Sequence, residues 1–150
     1  MKNTPQGWPR ITSAVFYLDP AAAIDWLCRA FGFEVRLKVV GDGGRIEHSE
    51  LVFGDGLIFV AHDASTNPRP DRRFPASPKS LGGANTQSLM LFVDDVDAHC
   101  VRARAAGATI SMEPAVHDYG PDHWADRSYG AVDLEGHHWW FTERIRDKKE

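Results

Sequence analysis

Ala14-Val15-Phe16-Tyr17-Leu18-Asp19 is answered later in the chain by Met90-Leu91-Phe92-Val93-Asp94-Asp95, each an apolar run closed by aspartate. A short helix-like stretch follows each aspartate and ends in glycine, at Gly32 and at Gly107. More strand-like sequence follows both. Self-similarity of this kind marks a chain built from copies of one supersecondary unit. Two similar half-sheets are expected, each burying one face, with a cleft between them.

Working outward from the first copy, strand one covers residues 11–18. Asp19-Pro20 then supplies an acidic N-cap and a proline at the first helical position, where its missing N–H costs nothing. Ala23, Trp26, Leu27 and Ala30 fall at helical spacing on one side. Residues 34–40 and 45–53 read as strands joined by Gly41-Asp42-Gly43-Gly44, and Gly54-Asp55-Gly56 turns the chain into a strand at 57–62. The second copy runs through a strand at 87–93, a helix capped by Asp95 with Asp97 in its first turn, a strand at 108–115, a loop at 116–122, and a hairpin of 127–132 and 136–143. Residues 144–150 read as a charged tail that frays. Between the copies, Pro68, Pro70, Pro75, Pro78 and Gly82-Gly83 break all periodicity. The expected organisation is one α+β structural domain: a βαβββ module at 1–62, a linker at 63–86 and a second βαβββ module with its tail at 87–150.

Composition narrows the function. The 150 residues carry a net charge of −4, which argues against a nucleic-acid partner, since phosphate contacts need concentrated Lys and Arg. The densest basic stretch, Arg69, Arg72 and Arg73, includes Asp71 and lies among prolines, so it reads as a solvated loop. No apolar run approaches the ~20 residues that span a bilayer. The first residues show no apolar signal segment, and a cytoplasmic location is expected. Cys28 and Cys100 fall inside the two helices without metal-site spacing, as small buried apolar residues do.

The order and spacing of four segments resemble the vicinal oxygen chelate superfamily, which includes glyoxalase I, extradiol dioxygenases and bleomycin-resistance proteins, and its PhnB-like branch in particular. The segments are Pro78-Lys79-Ser80-Leu81-Gly82-Gly83, Leu91-Phe92-Val93-Asp94-Asp95-Val96-Asp97-Ala98, Trp124-Ala125-Asp126-Arg127-Ser128-Tyr129-Gly130, and Asp133-Leu134-Glu135-Gly136-His137-His138-Trp139. The resemblance implies two βαβββ modules forming an open, curved mixed sheet with a central cleft, the glyoxalase/bleomycin-resistance fold. Enzymes of the superfamily hold a divalent metal there, on a first-strand His and a last-strand Glu or His of each module. The resemblance carries these positions onto Thr12 and Ser88, seven residues before the capping aspartates, and onto Val60 and Trp140, four residues after the hairpin glycines. None is a His, Asp or Glu, whereas catalytic metal sites keep about three such ligands. No metal, no cofactor and no catalytic residue is therefore expected.

Strand alternation turns the same positions into a cleft lining. Thr12, Ala14 and Phe16 share a face, as do Ser88, Met90 and Phe92; Ile58, Val60, His138, Trp140 and Thr142 join them, and Trp124 sits in a loop where it either closes over a ligand or packs on its own loop. Val15, Tyr17, Leu89, Leu91, Val93, Trp139 and Phe141 are expected to pack on the helices. The expected ligand-binding set is Thr12, Phe16, Val60, Ser88, Met90, Phe92, Trp124, His138 and Trp140, suited to a hydrophobic or aromatic compound. His48 and Glu50 share one face of a strand and form an acid/base pair if that face lines the cleft. His137 and His138, being adjacent, point to opposite faces, and Asp126-Arg127 reads as an ion pair holding its loop, with Arg127 as an anion anchor the alternative. These readings favour a metal-free small-molecule-binding homodimer, possible ligands including an antibiotic, over a glyoxalase- or dioxygenase-type enzyme with displaced ligands such as His48, Glu50 and His138. A partner or regulatory module without a ligand is the third reading.

Overall fold

The computed structural model describes every residue except Arg69, Arg72, Arg73, Lys149 and Glu150. The three arginines expected in a solvated loop therefore lie outside the described residues. The chain forms two compact units, Met1–Gly82 and Gly83–Glu150. The first holds β1 (Ser13–Tyr17), α1 (Pro20–Phe31), β2 (Glu34–Val40), β3 (Ile46–Phe53) and β4 (Gly56–His62). The second holds β5 (Ser88–Phe92), α2 (Val96–Ala105), β6 (Thr109–Asp118), β7 (Ala125–Val132) and β8 (His138–Arg146). Each is a βαβββ module with one mixed four-stranded sheet, ordered β1-β4-β3-β2 and β5-β8-β7-β6. In both, the first strand pairs in parallel with the last, and the remaining pairs are antiparallel.

The repeated aspartates do the same local work. Asp19 accepts from the Ala22 amide at 3.0 Å and Asp95 from the Ala98 amide at 2.9 Å, each satisfying an otherwise orphaned helical donor. Gly32 stops α1 at φ 84°, a left-handed conformation that glycine adopts without Cβ strain, and its N–H returns to the Cys28 carbonyl. In the first unit the apolar stripe of α1 (Ala23, Ile24, Leu27, Ala30, Phe31) is buried with Val15, Tyr17, Leu51, Ile58 and Val60. In the second, Val96, Cys100 and Ala103 are buried with Tyr129, Ala131, Trp139 and Phe141, and the Tyr129 hydroxyl meets His99 Nδ1 at 2.6 Å. Truncating one fully buried ring in such a core costs about 3–5 kcal/mol.

Two buried aspartates organise the irregular segments. Asp63 takes hydrogen bonds from the Ser65 amide and hydroxyl on one oxygen, and from the Ser77 amide and Ser80 hydroxyl on the other, at 2.6–2.7 Å. Burial alone would raise its pKa, but the hydrogen bonds from Ser80, Ser77 and Ser65 outweigh it and hold the carboxyl at about 2. The segment after β4 is thus tied down rather than a plain linker, and it includes a 3-10 turn at Pro78–Leu81. Asp133 Oδ1 accepts from the amides of Glu135, Gly136 and His137 at 3.0 Å, while Oδ2 accepts from the Trp139 indole at 3.0 Å. The Asp-Leu-Glu-Gly-His segment is therefore a self-satisfied hairpin loop, with His137 buried and His138 exposed on the other side.

Some boundaries differ from the sequence reading. Strand one is shorter, and β6 and β8 run further, to Asp118 and Arg146. The start of the charged tail is held in the sheet by cross-strand ion pairs, Arg144 to Asp126 and Arg146 to Asp118, both at 2.5 Å.

Candidate functional site

With one face of each sheet buried under its helix, the other face carries the candidate chemistry. In the first unit β1 and β4 pair Ala14 with Phe59 and Phe16 with Ala61, so these four share the open face. A cavity of about 420 Å³ lies against them, bordered also by His48, Glu47, Asp71 and Phe74. Val60 borders it too, but its partner is Val15 and it is 1% exposed, so its side chain belongs to the helix-side core. Ile58, 7% exposed, goes with it.

The placement of Val60 and Ile58 on the open face thus fails, for a reason of turn length. Phe53 pairs with Gly56 across a two-residue turn opened by Gly54 at φ 57°, whereas Val132 pairs with His138 across the longer 133–137 loop. Counting from the turn glycine therefore lands on opposite faces in the two units. Counted from the capping aspartates, Ala14 and Met90 correspond, so Phe59 is the counterpart of Trp140.

His48 and Glu50 are brought together as their spacing predicts. His48 Nε2 lies 2.9 Å from Glu50 Oε1, and Arg36 Nε lies 2.7 Å from Glu50 Oε2. The His48 hydrogen bond holds the Glu50 carboxyl below its ordinary range; burial opposes this, and Arg36 reinforces it. Arg36 also donates to the Gly7 carbonyl, and its guanidinium lies 4.6 Å from the centre of the Trp8 ring. Trp8 meets Phe59 edge-on at 6.2 Å, and His48 meets Phe59 at 5.2 Å. Trp8, Arg36, Glu50, His48 and Phe59 thus form a closed circuit of contacts. The sequence reading missed Trp8, Arg36 and Phe59. Trp8 lies in no periodic element, Arg36 sits at a β-bulge that breaks strand parity, and Phe59 is found only by counting from β1.

In the second unit the parallel pairing of β5 and β8 sets Ser88 beside His138, Met90 beside Trp140 and Phe92 beside Thr142, as alternation predicts. Met90 and Phe92 are 55% and 53% exposed, large values for such residues. Trp140 lies against Gly130, where a Cβ would stand 3.1 Å from the indole. The Arg144 guanidinium sits 5.6 Å from the Phe92 ring centre and 5.5 Å from that of Trp124, which also packs on Tyr119 and His123 of its own loop. Ser88, His138 and Trp140 border an open depression with Asn85 and Gln87. Asp126 and Arg127 do not pair with each other. Adjacent strand residues face opposite ways, so Asp126 bonds Arg144 while Arg127 makes a two-pronged bond to Asp97 at 2.7 and 2.8 Å.

The donor set at the superfamily's metal positions does not fit a metal: Thr12 and Ser88 offer hydroxyls, and Trp140 with Val60 or its open-face neighbour Phe59 offers none. Among the described residues, no group of three or more His, Cys, Asp or Glu side chains is arranged to hold a metal ion. No described helix is long and apolar enough to cross a membrane.

The module, its register and its hairpin are those of a known group. The chain belongs to the Glyoxalase/Bleomycin resistance protein/Dioxygenase superfamily, whose family model matches residues 10–141. An uncharacterized protein of Mycobacterium tuberculosis is 33% identical over 140 residues, covering 93% of this chain and 76% of that protein. The 4-hydroxyphenylpyruvate dioxygenase of Caenorhabditis elegans is 30% identical over 117 residues, 72% of this chain but only 28% of the dioxygenase. Among solved structures, TioX from Micromonospora sp. ML1 is similar with a TM-score of 0.69 and 33% identity, covering 92% of this chain and 100% of TioX. TnmS3, an antibiotic binding protein from Streptomyces sp. CB03234, has a TM-score of 0.62 and 20% identity over 89% of this chain and 93% of its own, a likeness of fold.

Proposed function

We propose that this protein is a metal-free binding protein for hydrophobic or aromatic small molecules, an antibiotic being one candidate class. The observation that carries the reading is the open face of each sheet. Phe16, Phe59 and Phe74 border a cavity of about 420 Å³ in the first unit, and Met90, Phe92 and Trp140 lie on the open face of the second. Cavities of this size with aromatic walls and few polar groups suit drug-sized ligands. The antibiotic-binding description of TnmS3 belongs to TnmS3, and its shared fold makes such a ligand worth testing first. The reading does not depend on the PhnB-like likeness of the motifs. It includes a cytoplasmic setting, with both cysteines as thiols.

The second reading, a glyoxalase- or dioxygenase-type enzyme with displaced ligands, draws on the bonded His48–Glu50 pair and the similarity to the nematode dioxygenase. Metal analysis of protein purified without chelators separates the two. Substoichiometric metal, together with saturable binding of planar apolar compounds, supports the binding protein; one tightly held ion per chain sinks it and favours the enzyme.

The same reading makes the protein a homodimer. Val35, Leu37, Val39 and Val40 are 43–52% exposed on β2, an edge strand whose outer backbone is unpaired within its sheet. Such an edge is ordinarily covered or charged. Sedimentation should show a dimer at tens of micromolar protein; a lone monomer there would count against it.

A further inference from the structure

We propose that the cavity of the first unit selects aromatic ligands bearing a hydroxyl or N–H donor, phenols above all, through His48 Nδ1 as hydrogen-bond acceptor. The inference rests on the binding reading above and names the ligand class for that cavity. The tautomer is fixed from behind. Glu50 is held as a carboxylate between two donors, Arg36 Nε at 2.7 Å on Oε2 and His48 Nε2 at 2.9 Å on Oε1. A carboxylate accepts only, so in the neutral imidazole Nε2 carries the hydrogen and Nδ1 presents a lone pair. Nδ1 has no hydrogen-bond partner among the described residues, and the His48 ring borders the cavity.

The surroundings define the rest of the ligand. Phe16, Phe59 and Phe74 supply ring-sized apolar walls. Glu47 and Asp71 border the same space and disfavour an anion, so a phenol fits there in its neutral, hydroxyl-bearing form. The His48 acceptor discriminates because a ligand that covers it without bringing a donor leaves it unpaired. Glu50 and Arg36 are positioning residues. Arg36 is itself anchored by the Gly7 carbonyl and the Trp8 ring, so the acceptor is braced through the whole circuit.

The test is calorimetric titration of the full chain with naphthalene, 2-methoxynaphthalene and 2-naphthol, three probes of one ring system that differ in donor capacity. 2-Naphthol is expected to bind about tenfold more tightly than 2-methoxynaphthalene. His48→Phe should keep naphthalene binding within about twofold and abolish the naphthol preference. Glu50→Gln can donate to Nε2 through its amide, which frees the tautomer, so the preference should shrink while naphthalene binding persists. The preference is a ratio on folded protein, confirmed by circular dichroism, so partial loss of stability in a variant does not imitate the effect. Equal binding of naphthol and its methyl ether by the wild type, or a preference that survives His48→Phe, overturns the role of His48 and leaves the binding reading standing. If none of the three probes binds, the binding reading falls and this inference with it.

Discussion

The two units share a backbone register but not the chemistry of their open faces. Aligned on the capping aspartates, Ile58 corresponds to Trp139, Phe59 to Trp140 and Val60 to Phe141. On the helix side the pairs are apolar and buried in both units. On the open side they diverge. Trp140 lies over Gly130, which its strand neighbour β7 leaves bare, whereas β3 sets Glu50 near Phe59, bonded to His48 and Arg36. The side the fold requires stays hydrophobic and buried, and the side it does not require has changed in kind. On the proposed binding reading, that asymmetry sets an acceptor-bearing pocket in one unit against a ring platform edged by Ser88 and His138 in the other.

The sharpest way to break this contrast is across a single peptide bond. Trp139→Ala removes a ring 1% exposed and its bond to Asp133, and should cost about 3–5 kcal/mol in denaturant unfolding. Trp140→Ala removes a half-buried ring of the open face; the fold should survive, and affinity for a planar apolar ligand bound there should drop about tenfold. If Trp140→Ala unfolds the protein and Trp139→Ala abolishes binding instead, the two faces have been exchanged.

A smaller effect separates the buried aspartates, one holding the segment after β4 and the other a hairpin. Asp63 titrates at about 2 in the folded chain against 3.8 ordinarily. A depressed carboxyl pKa stabilises the fold above the unfolded value, and that stabilisation is lost as pH falls through the folded one. The carboxylate therefore contributes about 2 kcal/mol, fully present above pH ~4 and gone below pH ~2. Asp63→Asn should lose about that much at pH 7, and its gap to the wild type should close on acidification below pH ~4. A gap of constant size from pH 7 to pH 2.5 would show that the ionised form is not the source.

Most of the scaffold was legible because its signals are local. Asp19-Pro20 and Asp95 announce helix starts by the hydrogen bonds their side chains make three residues on. Strand parity placed Val15, Tyr17, Trp139 and Phe141 in the core without any knowledge of pairing. The candidate site was legible only where parity was anchored. β5 and β8 came out in register, while Val60 came out on the wrong face because two hairpins of unequal length were counted from their glycines. Arg36 and Trp8 carry no local signal, since a β-bulge and a long-range contact put them beside Glu50 and Phe59. His48 and Glu50 were visible as a pair, but the carboxylate's second partner was not.

The finest test of the contrast is the glycine beneath Trp140. Gly130 has no positive φ, so a side chain there meets only steric resistance. A Cβ would stand 2.6 Å from Ser111 Oγ and 3.1 Å from the Trp140 ring. The serine hydroxyl can rotate away, but the indole must lift by a few tenths of an ångström. Gly130→Ala should therefore cost about 1 kcal/mol of stability, at the low end of overpacking, and change the tryptophan fluorescence by an amount that disappears in a Trp140→Phe background. Ligand binding at the platform should weaken by only a fewfold, because the ring is displaced rather than lost. Binding of 2-naphthol at the His48 pocket should not change, since neither Gly130 nor Trp140 borders that cavity. If Gly130→Ala alters the naphthol preference as strongly as His48→Phe does, the assignment of that preference to His48 has to be given up.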